Sequence, residues 1–448
     1  MLSFCVCASQ TSAVFSFRDR IPNQYHLIYF HATVIATEAD LIIRGCTILP
    51  MNGREIIEGG VIAIKNSTIL YVGQETGAPF IRAEKVMDGH GKVAIPGLIN
   101  CHTHLAMTLF RGIAEDQELD RWLTETIWPL EAKLGPEDVY DGALLGCLEM
   151  IKSGTTCFAD MYFHEETVAK AVEVAGLRAT LAPGIIEAGN KRLGEDLLER
   201  GIEMARKYQG YARGRVSIRL GPHSAYTCSP ELLKEVREKA SALHVGMHIH
   251  LAESTEMASL VKKEHDLSEV ELLESIGFLK PDVLAAHSIH LSEGEMQILA
   301  RRGVKVSYNP VANMKMAQGV ARVKDLLASG ITVGIGTDGP ASNNSLDMFD
   351  SMKVGRSSPK SHLCRSHNLA SPKRFKDGDN RRGKGFGSAR KRWFTRDWKK
   401  SRRHFSRVQE APSDTCAQYL RKHRLLRSRK RCRHSHRGWN RTNGKPRS

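Results

Sequence analysis

Short β-branched apolar runs alternate with amphipathic stretches along most of this chain. Residues 41–44, 61–65 and 69–72 read as strands parted by Gly and Asn turns, a small β-section that extends to residues 92–97. A longer strand starts there. Seven more strand-length runs follow at 156–160, 178–181, 216–220, 245–250, 283–287, 304–308 and 331–335. Between them, residues 137–152, 165–175, 230–243 and 292–302 repeat apolar positions at helical spacing. Eight strands alternating with helices predict an α/β protein whose body is a (β/α)8 TIM-like barrel, with a small β-sandwich section from the N-terminal segment. A barrel of this kind carries its chemistry where the strands end.

Five polar clusters stand at those ends: Cys101-His102-Thr103-His104, Gly221-Pro222-His223-Ser224, His248 to Glu253, Ala285-Ala286-His287 and Gly336-Thr337-Asp338-Gly339. Alternate residues of a strand point the same way, so His102 and His104 can enter the barrel mouth together and share one cation. One such pair is a weak sign. His248 and His250 repeat the pattern on the fifth strand, Glu253 follows three residues later, and Asp338 ends the eighth strand with a hard oxygen. Imidazole with carboxylate favours one Zn2+, with iron as the alternative metal. A cation so held keeps a position for water and lowers that water's pKa toward about 7. Glu253 then has the type and place to carry a proton from the water to a ring nitrogen of the substrate, and His287 to polarise the water or stabilise developing charge. The blander alternative is a set of core histidines satisfied by hydrogen bonds, which gives no reason for all of them to lie at the same end of their strands.

Charge changes the picture only at the C-terminal end. Residues 355–448 hold 30 Lys+Arg against 5 Asp+Glu, leaving 35 against 44 in the rest, so the basic pI of about 9.4 belongs to the tail and says nothing of what the body binds. Cysteines are scattered without CxxC pairs, which suits reduced thiols and a cytoplasmic location. No apolar run approaches the roughly 18 residues a membrane span needs.

The runs PGLINCHTHLAMTLFRGIAED, GPHSAYTCS, HIHLAES, AAHSIHL and GTDGPASNNSLDMF resemble the amidohydrolase superfamily, and within it the 5-methylthioadenosine/S-adenosylhomocysteine deaminase family, over about residues 39–354. The resemblance implies metal ligands His102, His104, His250 and Asp338, with Glu253, His287 and Asp338 as catalytic groups. It further implies Glu131 on the ribose hydroxyls and His223 on the substrate, with Glu253 also touching it. The bland readings are a helix-surface charge for Glu131 and a loop cap for His223, and His248 is expected to pack or support the ligands. Pro183 stands where some family members carry an arginine for a substrate carboxylate, leaving Arg192 as the candidate. The implied reaction is hydrolytic deamination at C6 of an adenine nucleoside to an inosyl product and ammonia. Another ring, such as guanine, cytosine or a chloro-triazine, is the runner-up.

The family pattern breaks off at Gly355. Written as degenerate codons and shifted by one base, residues 355–360 can encode AALLQ and residues 393–402 GSLEIGKKAD, strings similar to the family's own continuation. The expected organisation is therefore residues 1–38 as an extension of doubtful status, 39–95 as the small β-section, 96–354 as the barrel, and 355–448 as an out-of-frame, disordered tail. The competing reading is a non-catalytic protein with a nucleic-acid-binding tail, in which basic residues and Trp393, Phe394 and Trp398 grip phosphates and stack on bases. The favoured partner is a small adenine nucleoside, with no membrane and no nucleic acid, and a homo-oligomer is compatible with the chain.

Overall fold

The computed structural model describes residues 12–16, 29–33, 37–51 and 55–357. The expected disordered tail, and its Trp393, Phe394 and Trp398, lie outside the described residues. Those described fall into two compact units, one up to Pro96 and the other from Gly97.

The first unit holds strands β1 (Ser12–Ser16) and β2 (Tyr29–Thr33), which pair antiparallel within the stretch where the sequence shows no clear period. Its main body is one mixed sheet of β3 (Thr37–Ile48), β4 (Ile57–Lys65), β5 (Thr68–Gln74), β6 (Ile81–Asp88) and β7 (Val93–Ala94). Strand β6 joins β3 in parallel although its run IRAEKVMD alternates only weakly, which is why the sequence pattern does not predict it. Apolar residues on two separate clusters, around Ile42 and Val61 and around Ile43 and Ile48, are buried in this sheet. Ile56, Phe80 and Val86 stay exposed.

The second unit is the barrel. Strands β8 (Leu98–Thr103), β9 (Thr155–Tyr162), β10 (Arg178–Ile185), β11 (Val216–Pro222), β12 (Gly246–Leu251), β13 (Val283–His287), β14 (Lys305–Tyr308) and β15 (Thr332–Ile335) follow one another in a single parallel sheet. All eight lie where apolar runs predict them, to within a few residues at either end. A parallel strand covered by helices outside and filled inside is apolar on both faces, so Val283–His287 and Lys305–Tyr308 are buried along their whole length. Helices Pro136–Lys152, Glu165–Ala175, Lys191–Tyr208, Pro230–Ala242 and Glu293–Arg302 cover the outside. Their ends are chemically marked: Ser229 caps the Leu232 N–H, and Ser292 with Glu295 forms a reciprocal capping box.

One helical stretch departs from the expected alternation. Leu119–Arg121, Trp122–Ile127 and Trp128–Glu131 run on as one segment whose middle is a π-helical turn, a local widening that recurs at functional sites. Its apolar residues Leu119, Trp122 and Leu123 are buried among the second unit's core.

Candidate active site

The strand ends bring the sequence-predicted residues together. His102 and His104 come from β8, His250 from β12, His287 from the end of β13, and Asp338 from the turn after β15. Ligand atoms of His102, His104 and His250, and likewise those of His102, His287 and Asp338, lie within 4.8 Å of one another. Asp338 Oδ1 is 3.3 Å from both His102 Nε2 and His104 Nε2.

Each imidazole is oriented by what its other nitrogen does. His104 Nδ1 donates to the Met161 carbonyl at 2.5 Å, and His250 Nδ1 to the His223 carbonyl at 2.9 Å. That fixes a proton on Nδ1 and turns Nε2 inward. The two Nε2 atoms then face each other at 3.4 Å. His102 Nδ1 is 2.9 Å from His248 Nε2, and His102 Nε2 is buried with no hydrogen-bond partner. His248 thus stands behind His102, outside the cluster. Converging imidazole nitrogens, one of them orphaned and buried, and one carboxylate oxygen fit a divalent cation, which would satisfy all of them at once.

Ionisation agrees with that geometry at His250 and His287, whereas at His104 burial is outweighed by the neighbouring Asp338, which raises it to about 9, so its Nε2 holds a proton toward Asp338 Oδ1 until a cation displaces it. Burial and the neighbouring imidazoles keep His250 and His287 neutral, with His287 pulled down to about 3; His250 keeps its Nε2 lone pair, while His287, accepting the Asn313 amide at Nδ1, carries its proton on Nε2. Burial works against ionising Asp338, yet His102 and His104 beside it hold its carboxyl well below the usual range. Burial, then the Asp338 charge, pushes Glu253 up to about 8. Its Oε1 lies 3.6 Å from His287 Nε2. A carboxyl group so placed can hold a proton at neutral pH and pass it on.

Backbone strain gathers at the same end. Ala252, His287, Ser288 and Asp338 all have positive φ, between 49° and 69°, without being glycine. Such conformations cost free energy and persist where surrounding bonds over-determine them. Here the Ala252 N–H donates to Glu269 Oε2 at 3.2 Å, the Ser288 N–H to the Leu251 carbonyl at 2.8 Å, and the Asp338 N–H to the His102 carbonyl at 3.0 Å.

A cleft of about 690 Å³, its open mouth included, lies against the cluster. His104, His223, His250, Glu253, His287 and Asp338 form its floor, and the π-containing segment supplies Leu119, Trp122, Leu123, Trp128 and Glu131 as its wall. Glu131 is raised to about 7 by burial, partly offset by the Tyr162 hydroxyl. His223 Nδ1 is engaged with Thr227 Oγ1 at 3.0 Å, which leaves Nε2 free for the cleft. Arg192 is different: it is exposed on the first turn of the Lys191–Tyr208 helix and is not among the residues lining the cleft. It is the sole arginine in the segment that follows Pro183, but the helix begins one residue earlier, at Lys191, and turns it outward.

Sequence reasoning missed several contributors. Asn313 Nδ2 lies 2.7 Å from His287 Nδ1, Ser342 Oγ donates to Asp338 Oδ2 at 2.7 Å, and Trp122 and Trp128 wall the cleft. The PVANMK and PASN segments carry no periodic signal that would single these residues out.

An eight-stranded parallel barrel with imidazoles and a carboxylate at its C-terminal mouth defines a class of metal-dependent hydrolase architecture, and the sequence comparisons agree. The model described as "Amidohydrolase family" matches residues 93–375, and the chain belongs to that family. It is 48% identical over 317 residues, 70% of this chain and 73% of the relative, to a 5'-deoxyadenosine deaminase of Methanosarcina barkeri. It is also 48% identical over 315 residues, 70% of this chain and 72% of the relative, to a 5-methylthioadenosine/S-adenosylhomocysteine deaminase of Desulforudis audaxviator. Among solved structures, an adenosine deaminase from Xanthomonas campestris with bound zinc superimposes with a TM-score of 0.71 at 28% identity, covering 77% of this chain and 79% of that one. The protein is accordingly a hydrolase of non-peptide C–N bonds, of the aminohydrolase type.

Proposed function

We propose that the chain is a zinc-dependent hydrolytic deaminase of adenine nucleosides carrying a modified 5' position, releasing ammonia and leaving an inosyl product. The observation that carries this reading is the convergence of three imidazole Nε2 atoms and Asp338 Oδ1 in a cleft that is also lined by an unpartnered carboxylate oxygen, Glu131 Oε1. The names of relatives 48% identical support the nucleoside class.

His102, His104, His250 and Asp338 would hold one Zn2+, which when bound acts as a Lewis acid that makes water nucleophilic at neutral pH. Glu253 carries the proton, taking it at its carboxylate and delivering it to the purine ring nitrogen. His287 Nε2, held by Asn313 behind it, faces Glu253 and the developing charge. Glu131 accepts from the ribose hydroxyls, and His223 Nε2 bonds the base. Trp122, Leu123 and Trp128 pack on the nucleoside and exclude bulk water. Arg192, exposed outside the cleft, is not placed to meet a 5' substituent, so a carboxylate there would need another cation, such as Arg200 in the adjoining cavity.

We further propose that residues from about 355 onward are an out-of-frame continuation. Their charge balance differs from the body's, and the curated relatives extend beyond the matched segment by roughly a quarter of their length. The exposed Phe80 and Val86 of the small sheet are what missing strands would cover. An uninterrupted reading frame on resequencing of that junction would overturn this part alone. Among the described residues no helix is long and apolar enough to cross a membrane, which suits a cytoplasmic enzyme.

The deaminase reading is tested by metal analysis together with ammonia release from methylthioadenosine, 5'-deoxyadenosine, S-adenosylhomocysteine, guanine, cytosine and a chloro-triazine. Turnover of the first two and silence on the last three is expected. Faster turnover of a free base or triazine would refute it.

A further inference from the structure

Seven neighbouring pairs of barrel strands, from β8/β9 round to β14/β15, are joined by parallel ladders, that of β8/β9 with register shifts at Leu98/Ile99 and Asn100/Thr103. Among the described residues, β15 and β8 share no such ladder, although the first and last strands must meet for the barrel to close. Across this seam the backbone contributes the Asp338 N–H to His102 carbonyl bond at 3.0 Å. Side chains do the rest. Asn100 is fully buried, its carboxamide nitrogen donates to Thr337 Oγ1 at 2.7 Å, and its oxygen accepts the Thr337 N–H at 3.0 Å. One carboxamide thus offers a donor and an acceptor to a single residue opposite, as a peptide group does in a ladder. Thr337 Oγ1, accepting from Asn100, passes its own hydrogen to the Asp338 carbonyl at 2.9 Å, which Thr103 Oγ1 also reaches at 3.0 Å. Gly336 permits the approach, since a Cβ there would come within 2.8 Å of the His102 nitrogen.

We propose that Asn100 and Thr337 form a polar clasp that closes the barrel and sets Asp338 against His102 and His104, making both of them positioning residues for the metal centre. The inference rests on reading that cluster as a metal site. Its physical basis is that two ligands come from the first strand and one from the last, so their spacing is decided at the one junction without a ladder. Asp338 sits at φ 65°, a conformation that needs such restraint. Metal sites lose affinity steeply when supporting bonds slacken, by about 10–100-fold per partner removed.

The test compares Thr337→Val, which keeps shape and the N–H but deletes the hydroxyl, with Thr337→Ser, which keeps the hydroxyl. Full-length protein is loaded with Zn2+ and dialysed against a chelator, the retained zinc is measured over time, and melting of the metal-free form is recorded alongside. Thr337→Val should lose zinc at least about 10-fold faster than the parent, and Thr337→Ser should stay within about 2-fold. Asn100→Ser, too short to reach both Thr337 atoms, carries the same expectation if Thr337→Val does not fold. Zinc retention by Thr337→Val equal to the parent's, with only melting lowered, would make the clasp purely structural and overturn the proposal. A parent that takes up no zinc at all would overturn the metal reading itself, and the clasp's role with it, a result visible before any variant is made.

Discussion

The two ends of the barrel are built from the same strands and handle charge in opposite ways. At the N-terminal floor, Arg219 donates to the Met247 and Asp282 carbonyls at 3.1 and 2.6 Å, Lys305 to the Pro281 carbonyl at 2.5 Å, and Arg237 forks onto Asp282 at 2.8 and 2.9 Å. Each of these cations is met by oxygen. At the C-terminal mouth, His102 Nε2, Glu131 Oε1 and Asp160 Oδ2 are buried without a hydrogen-bond partner, and Ala252, His287, Ser288 and Asp338 take positive φ. The floor has unpartnered groups too, at Thr155 Oγ1 and Arg178 Nε, but those of the mouth converge on one cleft, where a cation and a substrate could supply the missing partners.

That contrast is most sharply broken by removing a ligand. Asp338→Ala or His250→Ala should reduce bound zinc to trace and ammonia release to background, while the fold, read by circular dichroism, persists. Glu253→Gln should lower kcat by about 10²–10⁴-fold with zinc retained, since it removes a proton carrier and no ligand. A Glu253→Gln protein that lost its metal would instead put Glu253 among the ligands.

The floor should respond in the other currency, stability. Arg237→Ala removes the fork on Asp282, whose side chain is 33% exposed, and should destabilise by about 1–2 kcal/mol in denaturant melts, with KM unchanged.

Glu131 couples the two readouts. Its pKa of about 7 lies above the ordinary value of 4.5, so between those limits the folded protein keeps a proton that the unfolded chain releases. The parent's stability therefore falls as pH rises through that window and stays lower above it. Glu131→Gln should abolish this loss, stabilising by about 2 kcal/mol at pH 8 and little at pH 4, while raising KM for a nucleoside about 10-fold or more. Equal stability of the two proteins at both pH values would remove the burial argument. The smallest effect is expected from Ser342→Ala, which frees Asp338 Oδ2 and should weaken zinc retention about 10-fold, near 1.4 kcal/mol.

The local pattern of the chain was enough to place the eight barrel strands, since a strand buried on both faces must be a continuous apolar run, and to put His102, His104, His250, His287 and Asp338 at their ends. It also found Glu253, because three residues past a strand-end histidine is a short distance along the backbone. What it could not show depends on groups far apart in sequence. Asn100 meets Thr337 across 237 positions, Asn313 reaches His287, and the π-turn of Trp122–Ile127 turns indole rings toward the cleft. Periodicity reports which face of an element is buried, whereas hydrogen-bond partners, tautomers and the outward turn of Arg192 are decided by which elements the closed barrel brings together.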